Sequence, residues 1–336
     1  MEHVQKVVDN LMKKEAYDDA DHVDIIHTAV SYVFLTGNYA YKCNKPLNLG
    51  FLDFTTLESR KDILNKELQL NSFLCPDLYK EVIPITRDKD RISLDGKGKV
   101  IEYTLKMKEF PQEGIMSNLL KHNLVTKEHV DKIVNKLVEF HNKTPTDEKI
   151  SNYGSFDSIS ALWEENFSQT KDFIEKTITT EQFQEIKKKI EAYLVKNKDL
   201  FDKRVQENKI KHTHGDFHSG NIYIGKELHL FDRIAFNMKF PCSDIAAEVA
   251  FLAMDLDYHN KKDLSDFFVN QYIKKTDDYD LNKLINFYKC YRAYIRGKIA
   301  CFKLQDKTIS DEERKKSIIE ARSYFKLSHG YVPNLT

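Results

Sequence analysis

Thr213-His214-Gly215-Asp216-Phe217-His218-Ser219-Gly220-Asn221, followed by Leu228-His229-Leu230-Phe231-Asp232, decides how this chain is read. The order is H-x-D-x-x-x-x-N, then a short hairpin signal, then an Asp that closes an apolar run. Transfer of a phosphoryl group to a hydroxyl uses such a set. One carboxylate, here Asp216, orients the hydroxyl and takes its proton, while an amide oxygen and a second carboxylate, Asn221 and Asp232, hold magnesium against a triphosphate. Taken singly, Asp216 reads as a turn cap, Asn221 as half of a Gly-Asn turn and Asp232 as a strand end. Their offsets together favour the chemistry. A competing reading takes His212, His214, His218 and His229 as zinc ligands, but the run lacks cysteine and the Asp/Asn frame accounts for the same residues.

The spacing from His214 to Asn221 equals that of a kinase catalytic loop, and Gly215 stands where protein kinases carry Arg. With Phe231-Asp232 downstream, His214–Asn221 resembles the aminoglycoside phosphotransferase-like small-molecule kinase superfamily. Four further segments resemble a bacterial branch of it that is itself uncharacterised: Tyr41-Lys42-Cys43-Asn44-Lys45-Pro46, Gly50-Phe51-Leu52-Asp53-Phe54, Cys75-Pro76-Asp77-Leu78-Tyr79, and Phe251-Leu252-Ala253-Met254-Asp255-Leu256-Asp257. The resemblance implies a two-lobe protein-kinase-like α+β fold, with a small antiparallel-sheet-plus-helix N-lobe and a larger, mainly helical C-lobe. It also implies ATP and Mg2+ as cofactors and a small-molecule hydroxyl as acceptor.

The 336 residues suffice for two lobes with separate cores. Lys plus Arg and Asp plus Glu balance at 52 each, so no global field draws the chain to nucleic acid or an acidic membrane. No apolar run approaches the roughly 20 residues of a membrane span, and the charged, amphipathic opening segment lacks the apolar core of a signal peptide. The five cysteines are widely spaced and read as buried thiols of a cytoplasmic protein.

Along the chain, Val4, Val7, Val8, Leu11 and Met12 predict a helix over 4–17. Residues 27–35 are β-branched and aromatic, Gly37-Asn38 signals a turn, and 39–42 resume a strand. Thr55 with Glu58 reads as a capping box for a long helix that ends before Pro76. Strands are expected at 81–86, 91–94 and 99–108. Beyond Pro111 the pattern predicts helices at 127–142, 156–174, 180–197, 243–257, 262–274, 281–305 and 311–327, with strands only at 222–224 and 228–231. The expected division is a nucleotide-binding lobe over 1–110 and a helical lobe over 111–336.

The remaining candidates follow from these placements. Lys42 alternates with Ala40 on one strand face, where a lysine grips phosphates and a small neighbour leaves room for adenine; Lys45 is the competitor. Glu67, on the capped helix, is the partner expected to hold the lysine. Met107 to Phe110, at the lobe junction, form the candidate hinge for the adenine edge. A glycine-rich phosphate loop is missing, and Thr28 to Ser31 or Gly37-Asn38 stand in its place. His218, Asp255 and Asp257, or Arg292 and Arg296 at i and i+4, are candidates for the acceptor site. The expectation is an ATP- and magnesium-dependent phosphotransferase acting on a small-molecule hydroxyl, with a sugar or sugar acid preferred as acceptor. An aminoglycoside kinase and a nucleotide-binding pseudoenzyme with a regulatory role are the alternatives.

Overall fold

The computed structural model describes residues 2–18, 20–50, 52–89, 91–306 and 309–335. Phe51, in the middle of the 50–54 segment, lies outside them. In chain order the elements are α1 (Glu2–Leu11), β1 (Asp24–His27), β2 (Ser31–Leu35), β3 (Tyr39–Asn44), α2 (Leu57–Leu74), β4 (Tyr79–Asp88), β5 (Arg91–Leu94), β6 (Lys99–Lys108), α3 (Met116–Lys121), α4 (Lys127–Lys143), α5 (Glu148–Ser151), α6 (Phe156–Thr170), α7 (Thr180–Lys196), α8 (Lys198–Gln206), β7 (Ile210–His212), β8 (Ile222–Ile224), β9 (Leu228–Leu230), β10 (Cys242–Asp244), α9 (Ile245–Tyr258), α10 (Lys262–Thr276), α11 (Leu281–Lys303) and α12 (Asp311–Tyr331). The α+β kinase-like class expected from the sequence is the class found. Two compact units emerge. The first comprises residues 1–118 with 222–238, and the second 119–221 with 239–336.

The first unit is built on an antiparallel sheet in the order β1-β2-β3-β6-β4-β5. The expected strand over 27–35 is instead a hairpin. Thr28 Oγ1 accepts the N–H of Ser31 at 2.8 Å and closes a turn between β1 and β2. The expected first helix is shorter than its apolar pattern, ending at Leu11 before a 3-10 turn over Lys14–Ala16. Val7 and Leu11 pack with Phe34, Tyr41, Ile83 and Ile85 in the core over the sheet. Each such fully buried side chain contributes roughly 1.5–3 kcal/mol. The cap of α2 falls one residue later than expected. Thr56 accepts from Ser59 N, because Thr55 donates its hydroxyl to Asp53 at 2.7 Å. The buried stripe of α2, namely Arg60, Leu64, Glu67, Asn71 and Leu74, follows helical spacing and carries Glu67 inward.

The second unit is helical around α9, all of whose residues from Ile245 to Leu256 are buried. Trp163 and Phe167 of α6 pack against Tyr294 of α11 with ring centroids 5.5 and 5.4 Å away. Helix α8, not expected from the sequence, supplies the wholly buried Arg204, which pairs with Asp244 at 2.6 Å and Asp278 at 2.5 Å. Asp244 also caps α9 through Ala246 N. The short β7 and β10 pair antiparallel, with His212 opposite Cys242, and fix the point from which the Thr213–Asn221 loop departs. All five cysteines are buried. Among the described residues, no helix is long and apolar enough to cross a membrane.

Candidate active site

In the first unit, strand alternation and helix spacing bring a lysine and two acids together. Lys42 Nζ donates to Glu67 Oε1 at 2.6 Å and to Asp232 Oδ1 at 2.8 Å. Burial alone would lower the Lys42 pKa, but the charges of Asp232 and Glu67 outweigh it, so the ammonium is held well above its ordinary value. Burial also pushes Glu67 up against the pull of Lys42. The Lys42 and Glu67 side chains are 13% and 9% exposed and Asp232 is 48% exposed, so one of the two carboxylates faces solvent. Asp232 itself adopts φ 63°, an uncommon conformation for a residue with a side chain. Two neighbours hold it there. Asp232 N–H donates to the Tyr79 hydroxyl at 2.9 Å, and Arg233 N–H donates to Asn71 Oδ1 at 2.8 Å. Lys45 goes elsewhere, with Nζ donating to Thr28 O at 2.5 Å and lying 4.9 Å from the Tyr32 ring centroid.

The other first-unit candidates lie on β6 and just beyond it. Met107 pairs with Ala40 on one side and Tyr79 on the other, so its backbone is set by two strands. Phe110 stacks on Tyr223 at 4.3 Å and meets Phe231 edge-on at 5.1 Å. Between them Glu109 reaches back to the β2–β3 turn, where its Oε2 accepts the N–H groups of Thr36 and Gly37, each at 2.8 Å.

In the second unit the loop after β7 is gripped from three sides. Glu248 Oε1 accepts the N–H of His214 at 2.5 Å and of Gly215 at 3.1 Å. Its Oε2 meets His141 Nε2 at 2.5 Å, and His141 Nδ1 meets the Tyr272 hydroxyl at 2.7 Å. Burial would raise Glu248, but His141, then His214 and the Gly215 N–H, bring it down to about 2. From the other side Arg292 donates to Gly215 O at 3.2 Å. Further along, Asp255 Oδ2 accepts Ser219 N–H at 2.8 Å. Gly215 has φ 87°, which explains why glycine and no arginine stands there: a side chain would be strained.

This grip presents Asp216. Asn221 Nδ2 donates to Asp216 O at 2.9 Å and to Asp216 Oδ2 at 3.1 Å. His218 Nε2 lies 3.4 Å from the same Oδ2. Asn221 and His218 therefore both approach the same carboxylate oxygen, Oδ2. The Asp216 side chain is 37% exposed. Desolvation would raise its pKa, yet the charges of His218, Arg296 and His214 hold it below the usual carboxylate range. His218 is itself shaped by Gly220. Gly220 N–H donates to its Nδ1 at 3.0 Å, and a Cβ at 220 would come within 2.7 Å of the ring. An Nδ1 that accepts leaves the ring proton on Nε2, facing Asp216. Burial works against a second proton on His218 and the Asp216 and Asp255 charges favour it; that proton would have to displace the Gly220 bond.

Asn221 and Asp232 each carry an oxygen of the hard type that magnesium takes. In the second unit Asn221 uses its amide nitrogen on Asp216, and in the first Asp232 gives Oδ1 to Lys42. Among the described residues, no group of three or more His, Cys, Asp or Glu side chains could hold a metal ion.

Asp257 and Arg292 are turned inward. Asp257 holds Lys289 at 2.9 Å and the Tyr331 hydroxyl at 2.6 Å. Arg292 is buried with its guanidinium 4.7 Å from the Phe251 ring centroid. Sequence reasoning missed Glu248 and His141. One signal was present: a lone acid in the apolar run from Ile245 to Met254 needs a buried partner.

No family model matches the chain. It is 26% identical over 284 residues to uncharacterised proteins of Mycobacterium tuberculosis and Mycobacterium bovis, covering 84% of this chain and 55% of theirs. The chain thus spans about half the length of the curated relatives it matches. Among solved structures it is similar to an ethanolamine kinase of Plasmodium vivax (12% identity, 94% of this chain and 84% of that one, TM-score 0.53). It is also similar to a choline/ethanolamine kinase family protein of Mesorhizobium loti (9%, 99% and 99%, TM-score 0.54). A third is a microcompartment-associated aminopropanol kinase (11%, 98% and 98%, TM-score 0.53). The fold is that of these small-molecule kinases.

Proposed function

We propose that this chain is an ATP- and magnesium-dependent phosphotransferase that acts on a hydroxyl of a small molecule, a sugar or sugar acid among the acceptors. The observation that carries the reading is the presentation of Asp216, whose Oδ2 is addressed by Asn221 and His218. An acceptor hydroxyl hydrogen-bonded to Oδ1 is oriented for attack on the γ-phosphorus. The new O–P bond forms as the bond to the bridging oxygen breaks, ADP departs with that electron pair, and the hydroxyl proton passes to Asp216. Magnesium, when bound, neutralises charge on the phosphates; Asn221 Oδ1 and Asp232 Oδ2 are the protein atoms suited to hold it. Lys42, oriented by Glu67, binds the α- and β-phosphates, and Met107 to Phe110 offer backbone to the adenine edge. The shared fold of kinases named for ethanolamine and aminopropanol supports a small alcohol as acceptor.

The test is direct. The purified chain is titrated with ATP, with and without magnesium, and transfer is followed by phosphorus NMR against sugars, sugar acids, amino alcohols and aminoglycosides. Magnesium-dependent ATP binding with acceptor phosphorylation is expected. A chain that binds no Mg-ATP at millimolar concentration has another function.

A further inference from the structure

Two helix stripes of the second unit flank the Asp216 loop, and their charges sort the acceptors that could reach it. On α9 and its C-cap, Phe251, Asp255 and His259 recur every fourth residue; on α11, Arg292 and Arg296 do the same. Most of these groups already have partners. Asp255 is 5% exposed, with Oδ2 on Ser219 N–H and Oδ1 4.0 Å from His259 Nε2. Arg292 donates to Gly215 O at 3.2 Å and Ala247 O at 3.1 Å. Among the described residues of these two stripes, the carboxylate that an ammonium-bearing acceptor would meet, Asp255, is already engaged.

Arg296 differs. It lies one helical turn beyond Arg292 on the same stripe and is only half-buried. Its guanidinium sits 5.5 Å from the centroid of the Tyr324 ring, which stacks on Tyr258 at 4.1 Å with the rings 10° from parallel. Burial would lower its pKa, but Tyr324, Asp216 and Asp255 outweigh that and raise it. A guanidinium has five N–H donors in a rigid fork, so most remain for a ligand. A half-buried cation one helical turn from the arginine that holds Gly215 O, backed by a flat aromatic wall, matches an oxyanion.

We propose that Arg296 selects the acceptor: a hydroxylated small molecule bearing a carboxylate or phosphate, whose oxyanion pairs with the guanidinium while its hydroxyl meets Asp216. This rests on the phosphotransferase reading above. The pairing offsets the repulsion between Asp216 and an anionic acceptor, and it turns away ammonium compounds by like charge.

The experiment uses the full chain with Mg-ATP and a matched set: an aldose, its aldonate, its sugar phosphate and its amino sugar. ADP release and equilibrium binding are measured for wild type, Arg296→Gln and Arg296→Lys, with thermal melts as the folding control. The aldonate or the sugar phosphate should be preferred over the neutral and amino members, and comparison of the two oxyanion arms tells which source is meant. Arg296→Gln should raise KM for the anion about ten- to a hundredfold, the reach of one charge-assisted pair, with KM for ATP unchanged and partial recovery in Arg296→Lys. Preference for the amino sugar, an anion KM unmoved by Arg296→Gln, or failure of both oxyanions to bind while Mg-ATP does, would each overturn the proposal and leave the phosphotransferase reading standing. Failure to bind Mg-ATP would remove that reading itself.

Discussion

Asn221 donates through Nδ2 to Asp216 Oδ2 at 3.1 Å, so the two residues defined by the loop's spacing are locked to each other before any ligand arrives. The same amide nitrogen also reaches Asp216 O at 2.9 Å, so one side chain fixes both the backbone and the carboxylate of Asp216.

Replacing Asp216 by Asn keeps the shape and removes the proton acceptor. Turnover should fall by about two to four orders of magnitude, the usual reach of a general base. Mg-ATP affinity should stay within about threefold of wild type, well under one pair's worth of binding. Calorimetry and steady-state kinetics on the same preparation separate the two, and unchanged turnover would exclude Asp216 as the base.

Lys42 and Lys45 offer a paired comparison. Lys42 meets Glu67 and Asp232, while Lys45 is tied to Thr28 O. Lys42→Ala should lower kcat/KM for ATP roughly 10²–10³-fold, the scale of a lost electrostatic clamp. Lys45→Ala should cost far less, through the β1–β2 turn it steadies. The reverse ranking would assign the phosphates to Lys45.

Asp232→Ala removes a charged oxygen and also leaves Lys42 with only Glu67. Affinity for Mg-ATP should drop at least about tenfold, whereas binding of ATP in excess chelator should change little. Equal losses in both titrations would show that Asp232 acts on Lys42 alone.

Local features were readable from the chain and distant ones were not. The offset between Asp216 and Asn221, and the alternation of Ala40 with Lys42, lie within a single loop or strand, where periodicity suffices. Glu248 grips the loop from 34 residues away and His141 meets Glu248 across 107, and no local rule spans such separations. The 27–35 run looked like one strand because its turn uses Thr28, and neither Gly nor Pro, to bend the chain. Arg292 and Arg296 share a stripe and looked equivalent. Depth separates them: the first is buried on Gly215 O, the second stays half open. The return of residues 222–238 to the first unit had no signal in composition at all.

Glu248 carries the clearest pH dependence. Its pKa falls from an ordinary 4.5 to about 2 in the folded chain, so between those values the unfolded state binds the extra proton. The stabilisation is complete above about pH 4.5 and is lost as pH falls through about 2. The size is on the order of 3 kcal/mol, from a shift of this extent. Glu248→Gln keeps an acceptor for the His214 and Gly215 N–H groups but not the charge facing His141. We expect it to be less stable than wild type at pH 7, with the difference in urea midpoint narrowing steadily as pH drops below the ordinary Glu value. Turnover should fall as well, since the loop that presents Asp216 loosens. A stability gap that stays constant from neutral to acid pH would mean that Glu248 acts through packing and not through its charge.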